Sequence, residues 1–302
     1  MRKVTSNISK QQLLFFWVLI LFLSELPRIL VIELFQGNTG WILWAKLGVL
    51  IAGFLLSLVV DFVKPFRNVF LVFFALYTFS EIFYRISQTS VWQGLFAFLG
   101  EGFPSEMMSI QMVRVAVAIL IILFLFVMGY SRKEFFFVKG QLDVPAEEVK
   151  WLGIDAGTRW NKLGPILALA ISSGTLLFLV LAGRPSLSLL WQALPMLPLV
   201  LFFSATNAFA EEMNYRAALM APIFPIVGKH QTMLMMAVLF GFGHFYGVPY
   251  GVLGVVMSGG LGWMLSKSML ETKGFFWPWF IHFWQDVLIF SFMAIGSITP
   301  GG

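Results

Sequence analysis

Three apolar stretches of the chain each carry ionisable side chains at helical spacing. These side chains, with one aromatic neighbour, are Glu211, Glu212, Arg216, Phe240, His244, His282 and Asp286. An ionisable group inside a membrane costs several kcal/mol unless it pairs or lines a wet cavity, which makes it a functional candidate by default. We therefore expect the chemistry of this chain where the three stretches meet.

The two adjacent glutamates are predicted to have different roles. Glu212 and Arg216 are four residues apart, so on a helix they share a face and can form an ion pair. Glu211 points ~100° away from Glu212. The arginine then neutralises one carboxylate and leaves the other free to face a cavity as a general base.

The spacing along the chain predicts that the histidines reach the same depth as Glu211. Pro222, Pro225 and Gly228 break the chain between two apolar runs. Glu211 lies seventeen residues before Gly228 and His244 lies sixteen after it, so an antiparallel helix pair would bring them level. A later run carries His282 and Asp286 one helical turn apart, on one face.

Two kinds of chemistry fit these residue types. A carboxylate can take a proton from water while imidazoles donate protons or stabilise an oxyanion, which is the chemistry of metal-free hydrolysis. The same oxygen and nitrogen donors could instead bind zinc, which would activate the water. The ligands in that alternative are Glu211, His244, His282 and Asp286.

The composition of the chain is that of a polytopic membrane protein. Of its 302 residues 59% are hydrophobic and 12% charged, whereas a soluble domain carries roughly 25% charged residues. The absence of cysteine excludes disulfides and thiolate chemistry. The basic residues are scattered among short loops and form no stripe, which argues against a nucleic-acid partner.

Hydropathy predicts an all-α membrane bundle of about nine transmembrane helices, at about twenty apolar residues per crossing. The predicted spans are 12–35, 40–60, 68–84, 109–130, 165–182, 188–220, 231–247, 250–267 and 275–297. The eighth span has Gly254, Ser258 and Gly262 at four-residue spacing, a pattern that lets helices pack closely.

The lysines and arginines concentrate in alternate loops, which predicts the orientation in the membrane. If the N-terminus is cytoplasmic, most loop cations face the cytoplasm and only Arg85 and Arg184 lie outside. The one sizeable polar segment divides the chain into an N-terminal four-helix region 1–130, a cytoplasmic loop 131–164 and a core 165–302. We expect an integral protein of a prokaryotic cytoplasmic membrane.

Charges also occur in the first region. Glu25 and Arg28 are three residues apart and can pair on one helix face. The simplest interpretation of these charges, and of Lys46 and Arg114, is structural pairing or snorkelling at the interface. A role in substrate access is the alternative.

The three motifs together resemble the CPBP family of CAAX proteases and bacteriocin-processing enzymes, also called Abi, and in particular its type II CAAX prenyl endopeptidases. Here the motifs are Glu211-Glu212-x-x-x-Arg216, Phe240-x-x-x-His244 and His282-x-x-x-Asp286. The resemblance covers roughly residues 165–297. It makes residues 165–302 the catalytic core of an intramembrane endopeptidase acting on a membrane-associated or C-terminally processed protein or peptide.

The resemblance also implies a role for each motif. Glu211 would activate water, supported by Glu212 and Arg216. His244 would assist the base or position the water, and His282 with residue 286 would stabilise the oxyanion. No cofactor is implied in the glutamate mechanism, and zinc is implied in the alternative. Many members have Asn where this chain has Asp286, and an ionised carboxylate cannot donate to an oxyanion.

Two functions from other classes remain open at this stage. A proton-coupled transporter could use the same titratable groups as a relay, although no similarity between the two halves suggests inverted repeats. A non-catalytic relative could bind a peptide in bacteriocin immunity. For Asp286 itself, we expect it to accept a hydrogen bond from His282 and so hold that ring, as an orienting carboxylate does.

Overall fold

The computed structural model describes residues 8–298, and these are helical almost throughout. The helices are α1 (Lys10–Leu23), α2 (Leu26–Phe35), α3 (Ile42–Val59), α4 (Arg67–Ser87), α5 (Ser90–Gly94), α6 (Phe103–Val127), α7 (Trp160–Gly183), α8 (Leu187–Ala193), α9 (Leu197–Glu212), α10 (Ala218–Gly243), α11 (Val252–Thr272) and α12 (Phe276–Ser297). A π-helical turn, Met213–Ala217, joins α9 to α10. Within residues 8–298 no strand forms beyond two isolated bridges, so the predicted all-α class is confirmed.

The chain is a multi-pass membrane protein, but the predicted count of about nine spans is not confirmed. Six helical stretches in residues 8–298 are long and apolar enough to cross a membrane, or seven if the bent pair α1–α2 is one span. The predicted spans 188–220 and 231–247 fall within one stretch, Leu187–Gly243. The predicted span 250–267 corresponds to α11, which is not among the six.

The first predicted span, 12–35, is not one helix. It breaks between Leu23 and Leu26, and α1 and α2 meet at 60°. Pro27 lies in the first turn of α2, where a proline is tolerated because its missing N–H would have no helical partner. The buried Lys46 ammonium donates to the Ser24 carbonyl oxygen over 2.8 Å. This bond satisfies a backbone acceptor that the break exposes.

The predicted break at Gly228 is confirmed. Its backbone has φ 73° and ψ −179° inside α10, a conformation open to glycine because it has no Cβ. One turn later, the Thr232 hydroxyl donates to the Gly228 carbonyl oxygen over 2.7 Å. The part of α10 after this break carries Phe240.

The helices that carry the three motifs pack against one another. Helix α12 packs on α9 and α7, α10 packs on α11, and α6 packs on α4 and α9. At the contact between α10 and α11, a Cβ built on Gly262 would lie 2.9 Å from the Phe240 Cβ. The small-residue pattern predicted for close packing is therefore used at the motif residue Phe240.

The segment 131–164 is docked against the turn between α11 and α12. The Gln141 amide donates to the Thr272 carbonyl oxygen over 2.7 Å, and the Phe275 amide donates to the Val138 carbonyl oxygen over 2.8 Å. The buried carboxylate of Glu271 accepts from the Trp160 indole over 2.8 Å. This loop therefore stabilises the start of α12, the helix that carries His282.

Candidate active site

The pair of glutamates lies where α9 passes into the π-helical turn. Single π-helical turns inside α-helices are frequent at functional sites, because they re-aim the side chains around them. The predicted ion pair between Glu212 and Arg216 is present, and neither side chain is exposed. Two opposite charges are thus buried in direct contact at the centre of the helix bundle.

Glu212 also holds the ring of His282. The His282 Nδ1 lies 2.8 Å from the Glu212 Oε1; because a carboxylate can only accept, Nδ1 carries the proton. The ring Nε2 is 3.6 Å from the Asp286 Oδ1, which is too long for a hydrogen bond. The expectation that Asp286 orients His282 is therefore wrong. Glu212 is the residue that orients this ring.

Asp286 has a different partner, which the sequence analysis missed. The Asn207 side-chain amide donates to the Asp286 Oδ2 over 2.9 Å, and both residues are buried. Asn207 belongs to α9 and precedes Glu211 by four residues. That spacing on one helix face was the available signal.

Glu211 is paired. This differs from the expectation that Arg216 would neutralise Glu212 and leave Glu211 free. Its Oε1 accepts from the Arg114 Nη1 over 2.9 Å. Its Oε2 lies 3.7 Å from the His282 Nε2. Arg114 comes from α6 in the first half of the chain, and it is paired, as the simplest interpretation expected, but its partner is a residue of the candidate site.

A cavity of about 540 Å³ opens beside Glu211. Its wall on the motif side includes Glu211, Tyr215, Phe240 and His244. The first half of the chain also lines this cavity, with Leu23, Ser24, Glu25, Phe73, Leu76, Tyr77, Ser80 and Arg114. The structure thus brings Glu211 and His244 to one cavity, as predicted from their spacing about Gly228.

His282 and Asp286 are arranged differently from His244. Neither is among the described residues that line this cavity, and their exposed fractions are only 3% and 4%. They lie behind Glu211, at the distances given above. The oxyanion role that the resemblance implies for them is therefore not supported by contact with the cavity.

Phe240 connects the three motifs through its ring. The ring centroids of Phe240 and His244 are 4.3 Å apart, and the Phe240 and His282 centroids are 5.9 Å apart in an edge-on arrangement. The Arg216 guanidinium carbon lies 4.9 Å from the Phe240 ring centroid, a cation–π distance. The aromatic residue of the motif therefore packs both imidazoles and the buried arginine.

The backbone determines which nitrogen of His244 carries the proton. The His244 Nδ1 lies 2.8 Å from the Phe240 carbonyl oxygen. A carbonyl oxygen only accepts, so Nδ1 is the donor and Nε2 has the lone pair in the neutral ring. His244 can therefore accept a proton or a hydrogen bond from water through Nε2.

The side chains do not form a ready metal site. Across residues 8–298, no group of three or more His, Cys, Asp or Glu side chains is placed to hold a metal ion. The cation that contacts Glu211 is the guanidinium of Arg114. The four side chains named for the zinc alternative, as they are arranged here, therefore do not fit a metal ion.

Comparison with known protein families gives a match over part of the chain. Residues 191–288 match the family model described as Type II CAAX prenyl endopeptidase Rce1-like. This segment contains all seven motif residues, so the resemblance predicted from them is confirmed there. No curated protein and no solved structure matches the chain significantly. The family match indicates a protease, a hydrolase of peptide bonds.

Proposed function

We propose that this protein is an intramembrane endopeptidase in which Glu211 activates the attacking water. The observation that carries the proposal is the shared cavity of about 540 Å³, which Glu211 and His244 both line. Beside it lies a buried set in which Arg216 and His282 both contact Glu212. A base at a cavity, supported by buried and paired side chains, is an arrangement that suits hydrolysis.

The proposed reaction uses the residues in contact with the cavity. Glu211 removes a proton from water, and the resulting hydroxide oxygen attacks the carbonyl carbon of the scissile peptide bond. The protonated Glu211 then gives that proton to the leaving nitrogen as the carbon–nitrogen bond breaks. His244 positions the water through its Nε2. Arg216 balances the charge of Glu212 throughout.

The substrate we propose is a membrane-associated protein or peptide processed near its C-terminus. The cavity wall includes apolar side chains from both halves of the chain, among them Leu76, Leu219 and Leu239, which suit an apolar segment better than a charged one. We place the protein in a prokaryotic cytoplasmic membrane with its N-terminus in the cytoplasm, and the core at residues 165–302.

The test is cleavage of a lipid-anchored peptide library in phosphatidylcholine vesicles that contain the purified protein. Each peptide carries a fluorophore and a quencher on either side of its C-terminal segment. We expect the wild-type protein to cut a subset of the peptides. Glu211→Gln should cut none, while Glu81→Gln, which removes a carboxylate of α4 outside the site, should cut like wild type. Cleavage by Glu211→Gln at the wild-type rate would refute the assignment.

Metal dependence is tested separately from cleavage. We expect purified, active protein to hold no stoichiometric zinc and to keep its activity after treatment with a chelator. Elemental analysis of the same preparation that is assayed provides the measurement. One zinc per chain, together with loss of activity on chelation and recovery on adding zinc, would favour the metal-dependent alternative.

A further inference from the structure

Arg114 is a cation near the middle of an apolar helix. It lies in α6, a 25-residue span in the first half of the chain, outside residues 191–288, which match the protease family. A charge at this position is costly unless it is paired or wet. Its side chain is 42% exposed and lines the same cavity as Glu211 and His244. The family match, which does not include this residue, therefore does not explain why a cation lies here.

The guanidinium of Arg114 is bonded to Glu211 and to the asparagine that holds Asp286, the two carboxylates of the site that Arg216 does not neutralise. Its Nη1 donates to the Glu211 Oε1 over 2.9 Å and also contacts the Asn207 side-chain oxygen. The Asn207 amide in turn donates to the Asp286 Oδ2 over 2.9 Å. One cation thus reaches Glu211 directly and Asp286 through a single amide.

The backbone of α6 is attached to the same place. The Asn214 side-chain amide, within the π-helical turn, donates to the Arg114 carbonyl oxygen over 3.3 Å. The Gln111 amide, one turn earlier on α6, donates to the Asn207 oxygen over 3.4 Å. These bonds hold α6 against α9 and the π-helical turn. The position of the Arg114 guanidinium is therefore set by the attachment of its backbone as well as by its flexible side chain.

We propose that Arg114 is a positioning residue for Glu211 and Asp286, so that the two halves of the chain together complete the active site. This rests on the proposed function. The bond to Oε1 fixes which carboxylate oxygen of Glu211 remains available to water. The asparagine bridge holds the Asp286 Oδ2, while the other oxygen, Oδ1, lies 3.6 Å from the His282 Nε2. A protease core made of residues 165–302 alone would lack this cation.

The test compares Arg114→Gln and Arg114→Lys with Arg85→Gln, which removes a guanidinium bound to Glu81 at the exposed end of α4. Because misplacing a reacting group by about 1 Å can cost on the order of 100-fold, we expect Arg114→Gln to lower kcat by about that factor with little change in KM. Arg114→Lys should recover part of kcat, since it restores the charge but not the planar fork. Arg85→Gln should match wild type.

Each kinetic outcome decides the question. A kcat for Arg114→Gln equal to that of wild type would overturn the positioning role, and so would an equal loss of kcat for the Lys and Gln variants when both are folded. A fall in kcat with intact folding and partial recovery by Lys would support it.

A second measurement does not depend on catalysis. Thermal unfolding of Arg114→Gln, Glu211→Gln and the double variant forms a cycle. Contacting residues give non-additive shifts, so the double variant should melt higher than the sum of the single shifts predicts. Additive shifts would overturn the contact itself. If wild-type protein cuts no substrate at all, the proposed function fails, and this cycle still reports on Arg114.

Discussion

Glu211 and Glu212 are neighbours in the sequence but lie in different surroundings, and those surroundings separate stability from catalysis. The Glu212 side chain is fully buried and contacts Arg216 and His282. The Glu211 side chain is 12% exposed and lines the cavity. One glutamate therefore belongs to the framework of the site, and the other faces the substrate.

This difference predicts opposite effects of the two conservative substitutions. Glu212→Gln leaves the Arg216 charge buried without its partner and should destabilise the protein by about 3–5 kcal/mol. Glu211→Gln should abolish cleavage and cost less stability, because Arg114 is partly exposed to the cavity. Unfolding in detergent, with cleavage measured on the folded fraction, checks both. Equal stability losses for the two variants would contradict this division.

The environment of Asp286 leads to a second prediction. Asp286→Asn should keep substantial activity, because an amide oxygen can still accept the hydrogen bond from Asn207. Asp286→Ala should lose much more, on the order of tenfold to 100-fold, because it leaves the buried Asn207 amide without an acceptor. Cleavage rates of both variants decide this. An Asn variant as inactive as Ala would mean that the carboxylate itself is required.

The shared cavity of Glu211 and His244 could be predicted from their spacing about Gly228, but individual bonds of the site could be predicted only where they stay within one helical stretch. Glu212 and Arg216 are four residues apart, and helical geometry alone predicted their ion pair. The Arg114–Glu211 bond spans 97 residues and the Asn207–Asp286 bond spans 79. No periodicity connects residues that far apart, because only the packing of whole helices brings them together.

At the scale of elements, local breaks in the helices matter more than the number of spans. Pro27 and Gly228 both mark breaks in helical stretches, but only one of the two breaks was predicted from the sequence. At Gly228 the break was predicted. At Pro27 the apolar run hid it, because hydropathy averages over a window and does not register a 60° bend. That bend places Ser24 and Glu25 in the cavity wall.

The contact between α10 and α11 yields a prediction with a matched control. Gly262→Ala would put a methyl group 2.9 Å from the Phe240 Cβ, whereas a Cβ on Gly260 of the same helix meets nothing within 4 Å. Gly262→Ala should destabilise the protein by about 1–3 kcal/mol through overpacking. It should also lower cleavage, because Phe240 packs against His244.

Gly260→Ala should be neutral or stabilise the protein by up to about 1 kcal/mol, because alanine favours the helix. Thermal unfolding of both variants, with cleavage assayed below their melting temperatures, provides the comparison. If both variants behaved alike, the close approach at Gly262 would not position Phe240.

At the scale of the whole molecule, the two halves share one cavity although the family match covers only residues 191–288. Helices α1, α4 and α6 supply lining residues beside those of the motifs. The polar segment 131–164 predicted a division of the chain into two halves. Composition, however, does not show that the first half contributes residues to the site. That contribution depends on α6 packing against α9.

The orientation of the molecule in the membrane is the last prediction, and the lack of cysteine makes it directly testable. The placement of lysines and arginines predicts that residues 131–164 face the cytoplasm and that the end of α4 faces the other side. Single cysteines introduced as Asp155→Cys and Gln88→Cys, both at exposed positions, would each be the one thiol of the protein. A membrane-impermeant maleimide should label Gln88→Cys in intact cells or right-side-out vesicles, and Asp155→Cys only after the membrane is opened. Because the segment 131–164 docks beside the start of α12, its side also fixes the side on which α12 begins. Labelling of Asp155→Cys in intact cells would show that the orientation is the reverse of the predicted one. The C-terminal segment of the substrate would then be expected on the opposite face of the membrane.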